Sequence, residues 1–273
     1  MNEKEILKKY KDYLVARKFS LCYPNYISLF LKYCKEQNIN YDNINQGILT
    51  DFLNHDKYSA NTVNLFIKAG RSWNQFLCTP NDKNEWLKIK YVRTPKRKPD
   101  CLTEEDLKKI IKYICTYENR LITPVKADAL ICFMYYTGLR REELLTLKRE
   151  NIDLNFNPCS LKIMGKGAKE RWIYFSDKYS PKLKEKLINY FNSELEIDNA
   201  FNLTLSKLNY LVKKMNKCLT DRTIHPHLFR HSFARCLVDK GVPLTYVARV
   251  LGDSLQVAQI YVDPTENMVK AYF

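Results

Sequence analysis

The chain has 273 residues, and its 45 Lys and Arg against 30 Asp and Glu give a formal net charge of +15. Hydrophobic residues make up 45% and aromatic residues 13%, which excludes a disordered chain and predicts packed cores. No apolar run reaches the roughly 20 residues of a membrane-spanning helix, and the N-terminus lacks the apolar stretch of a signal peptide. We therefore expect a cytoplasmic protein with a polyanionic partner, which charge alone does not identify as DNA, RNA or an anionic membrane.

The N-terminal part of the chain is predicted to form a helical domain over residues 1–86. Apolar residues recur there at intervals of three and four, which is the spacing of one helix face. Ser59 has a short hydroxyl side chain that suits the N-cap of the fourth predicted helix. The predicted helices cover residues 5–18, 23–38, 47–56 and 59–77.

A basic linker is predicted over residues 87–100. Pro95 and Pro99 disfavour a continuous helix, and they flank a Lys-Arg-Lys run at residues 96–98. This charge suits a segment that follows a nucleic-acid backbone. An ordinary solvated linker is the alternative interpretation.

The remainder, residues 101–273, predicts helices with one β-hairpin among them. Thr103 to Asp106 resembles a capping box, and Thr123 with Pro124 is typical of a second helix start. Residues 159–175 alternate in polarity on both sides of a Gly-containing turn, which predicts the hairpin. The expected fold class is mainly α with a small β-sheet (α+β). Further helices are predicted over residues 180–191, 205–219, 225–241 and 243–252.

The nine cysteines occur singly, without a Cys-x-x-Cys pair. This spacing argues against a disulfide framework and against a zinc site, and it favours reduced thiols. Both parts of the chain are basic, because residues 1–100 carry 18 Lys and Arg against 10 Asp and Glu, and residues 101–273 carry 27 against 20. We expect both parts to contact the same polyanion, as a two-domain clamp around duplex DNA would.

Four separated segments contain side chains that can take part in catalysis. In chain order they are TGLRREELLTL, GKGAKER, HPHLFRH and AQIYVD. Together they resemble the tyrosine recombinase (phage-type integrase) family, which includes Xer-like site-specific recombinases. The resemblance covers essentially the whole chain. It implies an N-terminal core-binding (SAM-like) DNA-binding domain over residues 1–86 and a catalytic domain over residues 101–273.

The resemblance also implies a set of site residues. Glu143 and Leu144 match a structural pair of the family, and His231 is interpreted as structural support. Tyr272, which lacks the Ile-Tyr context, is a rival nucleophile. The implied catalytic residues are Arg140, Lys166, His227, Arg230 and Tyr261.

These residue types suit cleavage of a phosphodiester. Two guanidiniums, those of Arg140 and Arg230, offer permanently charged donors to non-bridging phosphate oxygens. A phenol with a pKa of about 10 is a poor nucleophile at neutral pH, so Tyr261 needs cations or a base nearby. Lys166 suits proton donation to the leaving 5′ oxygen. The sequence has no P-loop and no paired-carboxylate motif, so we expect neither a metal ion nor another cofactor.

Asp253 occupies a position where the family usually has His or Trp, and it lies eight residues before Tyr261. A carboxylate beside a scissile phosphate is unfavourable unless it is protonated or paired. One hypothesis is that Asp253 orients His227 or accepts the Tyr261 proton. Another is that Asp253 points away and the site works more slowly. A third is a degenerate relative that only binds DNA.

The resemblance implies a site-specific recombinase that cleaves and rejoins double-stranded DNA through a 3′-phosphotyrosyl intermediate. Integration, excision and chromosome-dimer resolution all remain open. The family assembles as a homo-tetramer on two DNA sites, so the same assembly, associated with the nucleoid, is expected here. The alternatives are a catalytically weak or inactive architectural protein on the same scaffold, and a type IB-like enzyme that relaxes DNA.

Overall fold

The computed structural model describes residues 3–40, 43–80, 83–94, 99–116, 122–165, 170–194, 199–219 and 221–262. The chain divides into two compact units, residues 1–96 and residues 97–273. None of the helices in these described ranges is long and apolar enough to cross a membrane. All nine cysteines lie in the described ranges as free thiols.

The first unit is helical, and its helix starts are set by short polar side chains. Asn45 and Ser59 adopt extended backbone conformations, and their side chains accept hydrogen bonds from the backbone N–H groups of Ile48 and Thr62. The predicted cap at Ser59 is thereby confirmed. The helices of this unit are α1 (Glu3–Ala16), α2 (Tyr23–Glu36), α3 (Gln46–His55), α4 (Ala60–Phe76) and α5 (Glu85–Lys88).

The short helix α5 was not predicted, and a single large side chain explains it. Trp86 is 2% exposed and packs in a core with Phe30 and Phe66. It lies directly over Gly70 of α4, where an added Cβ would come within 2.1 Å of the indole ring. Glycine at this position therefore permits the close approach of the tryptophan.

The chain that follows α5 stays bound to α4. Arg71 donates hydrogen bonds to the carbonyl oxygens of Trp86 and Ile89, at 3.1 and 2.8 Å. The Asn64 side chain exchanges two hydrogen bonds of 2.8 Å with the backbone of Val92. The first residues of the predicted linker thus lie against the helical unit, whereas its Lys-Arg-Lys run lies outside the described residues.

The second unit contains helices and one small sheet, which confirms the predicted α+β class. The predicted capping box at Thr103 and Asp106 is present, and Thr123 caps a helix that begins at Pro124. Two 3₁₀ turns cover Arg149–Asn151 and Gln259–Tyr261. The helices are α6 (Glu104–Cys115), α7 (Pro124–Thr137), α8 (Arg141–Thr146), α9 (Leu183–Ser193), α10 (Leu205–Met215), α11 (Pro226–Asp239), α12 (Leu244–Leu251) and α13 (Leu255–Ala258).

The sheet confirms the predicted hairpin and adds a strand to it. Strands β2 (Cys159–Met164) and β3 (Glu170–Phe175) pair antiparallel, with Leu161 opposite Ile173. Alternate residues of both strands are buried, as their polarity pattern predicts. The additional strand β1 (Ile152–Asp153) pairs with β2, and its two residues are too few for a recognisable alternation.

Helix α7 is the centre of this unit, because it is buried around its whole circumference and packs against α6, α9 and α11. It ends at Gly138, which adopts the left-handed conformation with φ +58°. A Cβ on Gly138 would lie 2.5 Å from the ring of Phe233 on α11. The close contact of this turn with α11 brings the Arg140 segment beside Arg230.

Candidate active site

Arg140 lies at the junction between α7 and α8. Gly138 ends α7 in the left-handed conformation, Leu139 enters the core, and Arg140 becomes the N-cap residue of α8. The Arg140 backbone N–H donates to Glu143 Oε2 at 2.8 Å, and its Nη1 donates to Glu143 Oε1 at 3.0 Å. The arginine is thereby fixed at both its backbone and its side chain.

Glu143 also binds a second arginine, which the sequence reasoning did not single out. Arg171 of β3 is 8% exposed and donates two parallel hydrogen bonds of 2.8 and 2.7 Å to the Glu143 carboxylate. Its Nε donates to the carbonyl oxygen of Val250 at 2.8 Å. Burial alone would raise the pKa of Glu143, but hydrogen bonds from Arg171 and Arg140 hold it at about 2. The Glu143–Arg171 pair therefore joins β3, α8 and the end of α12.

Replacing Glu143 with glutamine is expected to lower the free energy of unfolding by about 3 kcal/mol at neutral pH, since it leaves the buried Arg171 without its counter-ion. The pKa of Glu143 is depressed in the folded chain, so its stabilisation is complete above its ordinary value of about 4.3 and is lost as pH falls towards 2. Urea unfolding from about pH 7 to about pH 3 measures both effects. The exposed neighbour Glu142, substituted likewise, is the control; equal losses for the two variants would contradict the assignment.

Arg230 lies on α11 and is 3% exposed. Its Nη1 donates to the carbonyl oxygen of Gly138 at 3.0 Å, and its Nη2 donates to that of Leu251 at 2.6 Å. These two carbonyls belong to the ends of α7 and α12. A guanidinium stays protonated even where burial lowers its pKa. Arg230 therefore places a fixed positive charge between α7, α11 and α12.

Asp253 connects the two arginines. Its Oδ1 accepts from Arg140 Nη2 at 2.6 Å, and its Oδ2 accepts from Arg230 Nη2 at 2.7 Å. The hypothesis that Asp253 points away from the site is wrong, because two nearby cations hold its carboxylate. Its hydrogen bonds go to these arginines and not to His227 or Tyr261, so the orienting role proposed for it is not observed either.

Tyr261 is the last of the described site residues along the chain. It ends the 3₁₀ turn Gln259–Tyr261, is 3% exposed, and has its Oη 2.9 Å from Nδ1 of His231. Burial raises the pKa of Tyr261, although the positive charges of Arg230 and Arg140 act in the opposite direction. His231, which was expected to be structural support, thus contacts the hydroxyl of the tyrosine through its ring.

The other histidines of this segment have different environments. His225 caps α11, with its Nδ1 accepting from the backbone N–H of Leu228 at 3.2 Å. His227 is exposed, and its ring centroid lies 6.5 Å from that of His231. Within the described part of the chain no hydrogen bond holds the His227 ring, so it is open to an incoming ligand.

An open groove with a volume of 1370 Å³ runs beside Arg140 and Arg171. It contains side chains from β3 and α12, among them the exposed Trp172, Tyr246 and Arg249. Lys166, which the sequence places at the tip of the β2–β3 hairpin, lies outside the described residues. The ends of the two strands that flank this tip, Met164 and Glu170, line the groove.

The chain resembles known proteins in sequence. The model of the phage integrase family matches residues 100–268. A tyrosine recombinase of Pseudothermotoga lettingae is 29% identical over 94% of this chain and 92% of its own. The tyrosine recombinase XerC of Listeria innocua is 26% identical over 99% and 97%.

Solved structures share the fold. A XerH site-specific recombinase bound to a difH substrate, in a pre-cleavage complex, has a TM-score of 0.70 and 24% identity over 99% of this chain and 82% of its own. A lambda integrase dimer bound to a COC′ core site also has a TM-score of 0.70, with 16% identity over 94% and 76%.

Proposed function

This chain belongs to the phage integrase family, and from that membership we propose that it is a tyrosine-type site-specific DNA recombinase. It cleaves and rejoins duplex DNA through a 3′-phosphotyrosyl intermediate. The curated tyrosine recombinases that it resembles over more than nine-tenths of its length support this function.

The observation that carries the proposal is the convergence of two guanidiniums on one anion beside a buried tyrosine. Arg140 and Arg230 each donate to a different oxygen of the Asp253 carboxylate. Two non-bridging oxygens of a phosphodiester present the same pair of acceptors. Preorganised donors of this kind are commonly the largest contribution to stabilising a transition state that gathers negative charge.

The proposed reaction uses five residues in distinct roles. Tyr261 Oη attacks phosphorus, the bond to the 5′ oxygen breaks, and Lys166 supplies the proton that the leaving oxygen requires. Arg140 and Arg230 bind the phosphate, and His227 is a further donor to it. The new phosphotyrosyl ester is attacked later by the 5′-hydroxyl of another strand, which restores the DNA.

We further propose that double-stranded DNA contacts both units, with residues 1–86 acting as the core-binding domain, and that four copies assemble on two DNA sites. The positive charge of both parts of the chain supports this contact. Lambda integrase has been solved as a tetramer bound to a Holliday junction, which supports the assembly. Charge of this kind positions a duplex and does not specify its sequence.

Covalent trapping tests the proposal. A binding sequence is first selected from a pool of randomised duplexes and then rebuilt with a nick, so that the cleaved fragment diffuses away. The expected result is a protein–DNA adduct that withstands detergent and maps to Tyr261. Selection of a sequence without any adduct would indicate the non-catalytic DNA-binding protein. Relaxation of supercoiled plasmids with no selected sequence would indicate the DNA-relaxing enzyme.

Replacing Asp253 with asparagine is expected to raise the single-turnover cleavage rate about 10-fold at neutral pH. Two like charges about 5 Å apart repel by about 3 kcal/mol at an effective dielectric constant of about 20, so the carboxylate competes with the entering phosphate. Part of this gain is offset because the arginines lose their present partner. Asp239, an exposed residue of α11, is substituted likewise as the control. A fall in rate for the Asp253 variant would show that the carboxylate assists the reaction.

A further inference from the structure

We propose that His231 is a catalytic residue, whose Nδ1 accepts the proton of Tyr261 Oη as that oxygen attacks phosphorus. This inference rests on the proposed function. The observation that supports it is the hydrogen bond of 2.9 Å between the two atoms, a distance that allows direct proton transfer. The resemblance assigns catalysis to His227, and it gives His231 no chemical role.

The surroundings fix both partners of this hydrogen bond. His231 follows Arg230, whose guanidinium is bound to the carbonyl oxygens of Gly138 and Leu251, so this part of α11 is held from two sides. The Tyr261 ring is buried, and its centroid lies 5.6 Å from that of His231. The alternative acceptor, Asp253, has its two oxygens engaged by the two arginines.

The electrostatic environment suits a neutral imidazole opposite a protonated phenol. Burial lowers the pKa of His231 from its ordinary value, and neighbouring positive charge acts in the same direction. Burial raises the pKa of Tyr261, so at neutral pH the phenol keeps its proton until an acceptor removes it. The titratable and charged groups around the pair are His225, His227 and Arg230 of the α11 segment, Asp253 after α12, Arg140 before α8, and Cys101 before α6.

The proposed step balances in atoms and charge. The Oη–H bond of Tyr261 breaks, its proton passes to Nδ1 of His231, and the oxygen electron pair forms the bond to phosphorus. The bond between phosphorus and the 5′ oxygen breaks, and this oxygen takes a proton from the general acid, for which Lys166 is proposed. During rejoining the 5′-hydroxyl returns its proton to the general acid Lys166 and attacks phosphorus, the bond between phosphorus and Tyr261 Oη breaks, and the imidazolium of His231 returns its proton to that Oη.

The test is the pH profile of single-turnover cleavage of the nicked duplex by the full chain. His231→Ala is expected to bind the duplex as the wild type does and to cleave it at least about 100-fold more slowly at neutral pH. Its rate should then rise about tenfold per pH unit towards about pH 9.5, because only the small ionised fraction of Tyr261 reacts. The wild type should lose activity only as pH falls through the lowered pKa of His231. Added imidazole should restore part of the variant's rate.

Three results would overturn the assignment. His231→Ala could cleave as fast as the wild type at neutral pH, or it could lose activity equally at all pH values, as a purely structural residue would. The rising pH profile could instead belong to His227→Ala, which would make His227 the acceptor. His231→Gln, which keeps a polar side chain, serves if the alanine variant does not fold, and His55→Ala on α3 is the unaffected control. Absence of the adduct in the wild type would refute the proposed function and not this assignment alone.

Discussion

Replacing Tyr261 with phenylalanine is expected to abolish the covalent protein–DNA adduct while leaving the binding of duplex DNA unchanged. The substitution removes only Oη, which is the atom proposed to attack phosphorus. The ring is 3% exposed, and phenylalanine keeps the same packing. Loss of the hydrogen bond to His231 costs about 1 kcal/mol, so the chain is expected to stay folded.

Covalent trapping on the nicked duplex measures adduct formation, and a gel-shift titration of the same preparation measures the binding of duplex DNA. The matched control is Tyr272→Phe, which alters the rival nucleophile and is expected to leave the amount of adduct unchanged. Tyr272 itself lies outside the described residues. If Tyr261→Phe formed the adduct and Tyr272→Phe did not, the nucleophile would be Tyr272 and not Tyr261.

Most helices of this fold could be predicted, because their signals are local. Thr103 with Asp106 and Thr123 with Pro124 carry their own start signals within four residues. The hairpin was recognisable for the same reason, since polarity alternates along both of its strands. The short elements α5 and β1 could not be predicted, because they exist through distant partners: α5 through the contact of Trp86 with Gly70, and β1 through its pairing with β2.

The site was predictable only in part for a related physical reason. Sequence order indicates which residue types are present, but not which of them meet across elements. Nothing local indicates that the Asp253 carboxylate binds Arg140 and Arg230, since the three residues meet only when the ends of α7 and α12 converge on α11. His231 had a usable signal, because it lies four residues after His227 and therefore on the same face of α11.

The two arginines also differ in a way that spacing does not indicate. The Arg140 side chain is 30% exposed and donates to two carboxylates and one backbone carbonyl, whereas that of Arg230 is 4% exposed and donates to two backbone carbonyls and one carboxylate. Arg140 is thus the more accessible of the two to an entering phosphate. Arg230 is held in place before DNA binds, which makes its geometry the more demanding of the two.

Replacing Arg230 with lysine is therefore expected to slow cleavage about 100-fold to about 1000-fold, although the positive charge is kept. The guanidinium reaches Gly138, Leu251 and Asp253 from two nitrogen atoms, Nη1 and Nη2. A single ammonium nitrogen does not span these acceptors, so the charge moves away from the phosphate position. Binding of duplex DNA is expected to stay within about threefold, because most phosphate contacts are made elsewhere.

Single-turnover cleavage of the same variant measures the effect on the cleavage rate, and a gel-shift titration measures the effect on DNA binding. Arg235→Lys is the matched control, since Arg235 lies on the same helix and pairs at the surface with Asp239 at 2.9 Å. This control is expected to cleave at the wild-type rate. If Arg230→Lys also cleaved at that rate, charge alone would suffice at position 230, and the convergence of Arg140 and Arg230 would no longer support a role in holding the phosphate that Tyr261 attacks.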